Sequence, residues 1–177
     1  MRSFATRLIL TLLCLVAPAL ARAVVISVEP ADTTVTVGDN FTLRVVASSF
    51  ADLKGYQLIH SFDAVHLTLL GVTAGDVLTG TGRAFAAYSV PDETAPTDST
   101  WMDAAMLDGA TAGPGVLAYL QFHAQTEGTG TIDCQHVELR DSANGQTTPG
   151  CVGGSVLIVG PVPTRASSWG KLKSVYR

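Results

Sequence analysis

The sequence predicts an all-β fold, an antiparallel β-sandwich. Three observations carry that prediction. Apolar and polar residues alternate with period two in several short runs, which is the pattern of half-buried strands. Clusters of Gly, Asp, Asn and Pro separate those runs at short spacing. Between Val24 and Gly160 no stretch keeps a helical period.

Taken in order, Val24–Val28 reads as the first strand, closed by Glu29-Pro30. Thr33–Val37 is a short β-branched run, and Gly38-Asp39-Asn40 is a turn. In Phe41–Ala47, Phe41, Leu43 and Val45 alternate with Thr42 and Arg44. Gly55–Phe62 is the clearest strand, with Tyr56, Leu58, His60 and Phe62 on one face and Gln57, Ile59 and Ser61 on the other. Asp63-Ala64 turns the chain into a second apolar run, Leu67, Leu69, Leu70 and Val72, which Gly75-Asp76 ends. Arg83–Val90 is a further strand whose large residues are Phe85 and Tyr88, and Pro91–Ser99 is an exposed loop.

In Thr100–Met106 the aspartate sets the register. Burying an unpaired carboxylate is costly, so Met102, Ala104 and Met106 face the core while Trp101 and Asp103 face outward. Gly109–Gly115 reads as a glycine-rich loop, and Val116–Gln125 as a long strand that includes Leu117, Tyr119 and His123. A turn at Gly128–Gly130, a strand over Thr131–Leu139, a polar loop over Asp141–Gly150 and a last strand over Val152–Val159 complete the body.

The two ends differ from this body. Residues 1–23 have the composition of a secretory signal peptide: Arg2 and Arg7, an apolar core over Leu8–Val16, and a small-residue cleavage site at Ala19-Leu20-Ala21 or Ala21-Arg22-Ala23. The apolar core is shorter than the roughly 20 residues a spanning helix needs. Cleavage after Ala23 leaves one domain, residues 24–160, followed by a segment, residues 161–177. That segment follows on from Gly160 with the stiff linker Pro161-Val162-Pro163 and carries Trp169, Lys171, Lys173, Tyr176 and Arg177. Its Trp-Gly … Lys … Tyr-Arg pattern resembles short terminal tags of some exported bacterial proteins. The resemblance implies sorting or attachment at the cell surface. The expected location is therefore outside the cell, with no transmembrane span once the leader is removed.

Charge is unevenly distributed. All fifteen acidic residues lie in the body, against only Arg44, Lys54, Arg83 and Arg140, a net charge of −11, whereas the last segment holds four basic residues and no acid. An acidic body excludes nucleic acid as a partner, because phosphates need a basic face. Of the three cysteines, Cys14 belongs to the leader. Cys134 and Cys151 remain, an even pair in an exported chain, and the expectation is a disulfide. In the sequence the two thiols have no matching histidine pair, so no zinc site is expected, and no C-x-x-C motif is present. No metal or cofactor is expected.

Catalytic signatures are missing as well. The chain has no Gly-x-Ser-x-Gly elbow, no His-Glu-x-x-His and no P-loop. His60, His66, His123 and His136 are scattered singly and read as structural. Paired carboxylates can serve glycoside hydrolysis, but Asp103 and Asp108 read instead as a surface charge and a turn residue. Asp141–Gly145 lacks the ligand spacing of an EF-hand. The expectation is a protein that is not an enzyme.

A family resemblance sharpens this. The run Phe62-Asp63-Ala64-Val65-His66-Leu67 to Gly75-Asp76 resembles the cohesin pattern Tyr-Asp-Pro-x-x-Leu, apolar strand, Gly-Asp, at the same spacing. Gly115–Phe122 resembles that family's later Asp-Gly-x-(Leu/Phe)-x-x-(Ile/Leu)-x-Phe strand. Val35–Phe41 is similar to its Val-x-x-Gly-Asp-x-(Phe/Val) start. The sequence departs from the family at Ala64, where the pattern has proline, and at Pro114, where it has aspartate.

The resemblance implies a jelly-roll β-sandwich of about nine strands, related to carbohydrate-binding modules, and a non-catalytic role. Cohesins dock calcium-loaded dockerin modules in assemblies that degrade polysaccharides. By position, the family's docking face maps to Gln57, Ile59 and Ser61, with Trp101 and Asp103 on a neighbouring strand. Gly55 and Gln57 stand where well-studied members carry Asn and Asp. Two other roles are carried alongside: direct carbohydrate binding, with Trp101 or Tyr88 stacked on a sugar ring, and a structural surface or matrix protein held by its C-terminal segment.

Overall fold

The structure, a computed structural model, describes residues 23–90 and 98–161. The expected leader, the tip of the Pro91–Ser99 loop and the tail residues Trp169, Lys171, Lys173, Tyr176 and Arg177 lie outside the described residues.

The chain alternates between two facing sheets. Its strands are β1 (Val25–Glu29), β2 (Asp32–Thr36), β3 (Asn40–Leu53), β4 (Gly55–Phe62), β5 (Leu67–Ala74), β6 (Phe85–Val90), β7 (Ser99–Met106), β8 (Thr111–Ala124), β9 (Gly128–Arg140), β10 (Gln146–Thr147), β11 (Gly150–Val152) and β12 (Gly154–Val159). One sheet runs β11-β1-β3-β8-β5; the other runs β2-β12-β9-β4-β7-β6, with β10 added beside β9. The pairs are antiparallel except β1 with β11 and β2 with β12, which are parallel. The first two strands of the domain thus pair with its last two.

Burial follows the period-two pattern. On β4, Tyr56, Leu58, His60 and Phe62 point into the core. On β7, Thr100, Met102, Ala104 and Met106 do the same. They meet Leu43 and Val45 of β3 and Leu120 and Phe122 of β8 across the sandwich. Phe122 stacks on Phe41 at 5.9 Å between ring centroids and meets Phe62 edge-on at 5.2 Å. Tyr56 sends its hydroxyl across the core to the Leu117 carbonyl oxygen. Burial holds that phenol neutral by pushing its pKa above the usual tyrosine range.

The two Gly-Asp turns and the Phe62-Asp63 corner have specific tasks. At the first turn Gly38 has φ +92°, the left-handed region open to glycine. The Asp39 carboxylate accepts the Thr36 N–H at 2.9 Å. At the corner, the Asp63 carboxylate accepts the Val65 N–H at 2.9 Å, and its carbonyl accepts the Leu67 N–H at 2.9 Å. At the second turn, Gly75 presses so closely on β8 that a Cβ would lie 2.0 Å from the Val116 carbonyl oxygen. Asp76 then accepts the Val116 N–H at 2.9 Å.

Several expectations need correction. After Gly75 the chain makes a single helical turn, α1 (Asp76–Thr79), where none is predicted. It is too short to show a period, and it sits against β8 because Gly115 leaves room for Val77. The glycine-rich stretch 109–115 is largely strand, not loop: β3 and β8 stay paired out to Leu53 and Thr111 through three register shifts. Such bulges let a ladder continue past Gly-Pro-Gly. Gly128–Gly130 is likewise the start of β9, and the polar loop after Arg140 contains β10 and β11. These short segments raise the count above nine.

Candidate binding face

The outward face of the β6-β7-β4-β9 region brings together all five residues singled out from the sequence. Gln57 lies directly opposite Asp103, Ile59 opposite Trp101, and Ser61 opposite Ser99. Directly opposed residues in an antiparallel pair hold their Cβ atoms about 5 Å apart, so these pairs form one continuous patch. Trp101 is 38 % exposed, and Asp103 is half-buried. The Asp103 carboxylate has no hydrogen-bond or ion-pair partner among the described residues. The Ser61 hydroxyl accepts from the Gln135 side-chain amide at 2.7 Å.

The strands on either side extend the patch. On the β6 edge, Tyr88 pairs with Asp103 and is 63 % exposed. On β9, Glu138 pairs with Gln57 and His136 with Ile59. Glu138 is 8 % exposed, yet its carboxylate is well supplied with donors. Arg140 Nη2 lies at 2.5 Å, the Gln146 amide donates to it, and His136 Nε2 is 3.9 Å away. Arg140 also donates to Asn144 Oδ1 at 3.1 Å. A charged pair of this kind on a half-buried face is rigid because each partner is fixed by a second bond.

Between these walls the sheet surface sinks. Gly55, Ala105 and Ala86 fall in one cross-strand row and carry almost no side chain. They form the floor of a depression of about 440 Å³ rimmed by Tyr88, Asp103, Gln57, Glu138 and Arg140. Sequence reasoning missed the Glu138–Arg140–Gln146 group. The signal was present as His136, Glu138 and Arg140 at period two, but nothing in the sequence says that β9 lies beside β4.

At the other end of the β4–β9 pair, Cys134 of β9 and Cys151 of β11 form a disulfide that ties the two sheets together. His60 lies beneath it, opposite Cys134 on β4. The ring is 1 % exposed, and neither Nδ1 nor Nε2 has a hydrogen-bond partner among the described residues. Burial lowers its pKa to about 4, so the ring is neutral. The other histidines are ordinary surface groups: His66 meets Thr126 Oγ1 at 3.1 Å, and His123 meets Asn40 Oδ1 at 2.8 Å. Among the described residues no helix is long and apolar enough to cross a membrane.

Fold and surface together define a two-sheet β-sandwich whose polar and aromatic groups gather on an open sheet face. The chain belongs to the cohesin domain family, whose defining sequence pattern matches residues 26–158. No curated protein sequence matches it at a significant level. Among solved structures, it is similar to a non-cellulosomal cohesin from the hyperthermophilic archaeon Archaeoglobus fulgidus, with a TM-score of 0.61 at 17 % identity over 77 % of this chain and 91 % of that one. It is also similar to a cohesin solved in a type I cohesin–dockerin complex from Clostridium thermocellum, with a TM-score of 0.63 at 15 % identity over 77 % and 99 %. A type II cohesin domain from the cellulosome of Acetivibrio cellulolyticus gives 0.61 at 15 % over 76 % and 95 %. At these identities the likeness establishes the fold.

Proposed function

We propose that this chain is an exported, non-catalytic binding module that docks a protein partner of the dockerin type through the outward face of β4 and β7. One observation carries the reading: the Ile59–Trp101 and Gln57–Asp103 pairs lie side by side on one open sheet face of the cohesin fold, and the second pair rims a depression. A central aromatic bordered by polar groups is the composition of an interface hot spot. Asp103 offers an unpaired acceptor, and the acidic body of the domain favours a partner whose facing surface is basic or rich in N–H and O–H donors. The same groups do not suggest catalysis, because Glu138, the buried carboxylate of this face, is held by Arg140 and Gln146.

A second reading is direct binding of polysaccharide. It draws on the exposed Tyr88 ring, which stands beside Asp103 and Gln57 in the manner of an aromatic platform with hydrogen-bonding groups at its edge. Attachment to the cell surface through residues 161–177 fits either reading.

Titration calorimetry of the domain separates them. Heat on adding calcium-loaded dockerin modules, lost in Trp101→Ala and absent with soluble glycans, is the expected outcome. Binding of glycans that requires Tyr88 or Trp101 would favour the second reading. Partner binding untouched by Trp101→Ala and Asp103→Ala would place the interface elsewhere.

A further inference from the structure

His60 is a poor choice for a place in an apolar core. A buried ring with two unmatched nitrogens costs free energy that leucine or methionine would not, and a buried polar group without a partner calls for an explanation. Its surroundings supply one. A nitrogen of His60 and the two sulfurs of Cys134 and Cys151 all lie within 4.8 Å of one another. They come from three strands of both sheets: β4, β9 and β11. The positions are far apart in the chain, and only the pairing of β4 with β9 and the sheet-to-sheet crossing of the disulfide bring them together.

We propose that in the dithiol state Cys134, Cys151 and His60 form a three-ligand site for a soft divalent cation of the zinc type. In tetrahedral zinc sites the metal sits about 2.3 Å from sulfur and about 2.0 Å from nitrogen, which spaces the donor atoms roughly 3.5–4 Å apart. The observed donor atoms, all within 4.8 Å of one another, need only small side-chain adjustments to reach that spacing once the S–S bond is broken and the sulfurs separate. Two thiolates cancel the double charge of the cation, so the bound group is neutral and can be half-buried without a large desolvation cost. The imidazole is ready to coordinate, because burial keeps it unprotonated at neutral pH. Both cysteines are partly exposed, whereas the histidine lies beneath them, so a cation reaches the sulfurs from solvent and the nitrogen from the core side. The fourth position is left to water.

Disulfide and cation therefore compete for the same two sulfurs. A phosphine reductant and one water convert the disulfide to two thiols and a phosphine oxide. Zinc then displaces two protons, one from each thiol. An added small-molecule disulfide then takes the two electrons by thiol–disulfide exchange, leaving as two thiolates while the protein S–S bond re-forms and the cation is released.

The test uses the full chain, reduced with a phosphine, freed of reductant without air, and given Zn²⁺ alone. One zinc per chain is expected, held with a near-ultraviolet spectrum of folded protein and released when the disulfide re-forms. His60→Leu, which removes the nitrogen while keeping the core apolar, should weaken uptake by at least the roughly 100-fold that losing even an outer-shell partner can cost, and His60→Gln should do so too. Cobalt substitution should give a tetrahedral visible spectrum with a sulfur charge-transfer band in the parent chain and not in His60→Leu. The proposal is overturned if the reduced parent takes up no zinc or cannot hold its fold with zinc present. It also fails if zinc binds between two chains, or if His60→Leu binds as tightly as the parent.

Discussion

Replacing His60 with leucine isolates the effect of one buried imidazole on acid stability. In the folded protein its pKa is about 4, against 6.5 for the exposed ring of the unfolded chain. The unfolded state therefore binds the proton first as pH falls. The stability associated with the neutral ring is complete above pH 6.5, declines between 6.5 and 4, and changes no further below 4. Each pH unit in that window costs about 1.4 kcal/mol, so at pH 4.5 the parent has lost on the order of 3 kcal/mol through this group alone. The groups facing His60 do not blur the effect: Thr100 and Cys134 are its cross-strand neighbours, and the disulfide does not titrate. In His60→Leu that loss is absent, and at pH 7 the variant should match or exceed the parent, because an orphaned polar ring has been replaced by an apolar side chain. Urea unfolding of both chains at pH 7 and pH 4.5 provides the measurement. The acidic residues lose stability equally in both, so the difference between the two chains reports the histidine. Parallel losses in parent and variant would show that the imidazole is not desolvated as described.

Other substitutions probe the points where the chain is most constrained. Gly75→Ala would place a Cβ 2.0 Å from the Val116 carbonyl oxygen, with backbone on both sides. A loss of about 3 kcal/mol, on the order of 10 °C in Tm, is expected by calorimetry, and a neutral result would refute the close approach. Tyr56→Phe removes the hydroxyl that reaches Leu117 while that carbonyl keeps the Gly75 N–H at 2.8 Å. The cost should be about 1 kcal/mol in denaturant unfolding, and a much larger one would mean the hydroxyl holds more than this bond. Converting Cys134 and Cys151 together to serine opens a link spanning 17 residues. Equilibrium unfolding should show a loss of about 3 kcal/mol, and no loss would mean the bond does not constrain the unfolded chain.

The strand cores and their inward and outward faces were legible because Gly55–Phe62 and Thr100–Met106 alternate cleanly, and Asp103 rules out the inverted register of its strand. The Gly-Asp and Phe-Asp markers were legible as turns, and the structure shows why: Asp39 and Asp63 each close a backbone N–H of their own turn, while Asp76 closes the Val116 N–H of the neighbouring β8. The ends of the long strands were not legible. Gly113-Pro114-Gly115 has loop chemistry, and only bulged pairing with β3 keeps it in the sheet. Strand neighbours were invisible too, which is why Glu138 and Arg140 were missed on the face and His60 was not joined to the cysteines. Both omissions depend on the placement of β9 beside β4, a fact of topology that no local pattern encodes.

The parallel pairings at the edges of the two sheets bear on how the molecule is made. Ile26 aligns with Cys151 and Thr33 with Val156, so the opening strands wait for the closing ones. Neither sheet can be completed until nearly the whole domain has left the ribosome. Contacts this distant along the chain slow folding, because loop closure must come before the bonds it makes possible. A nascent chain with this topology therefore keeps both sheets without their closing strands until synthesis of the domain is nearly finished.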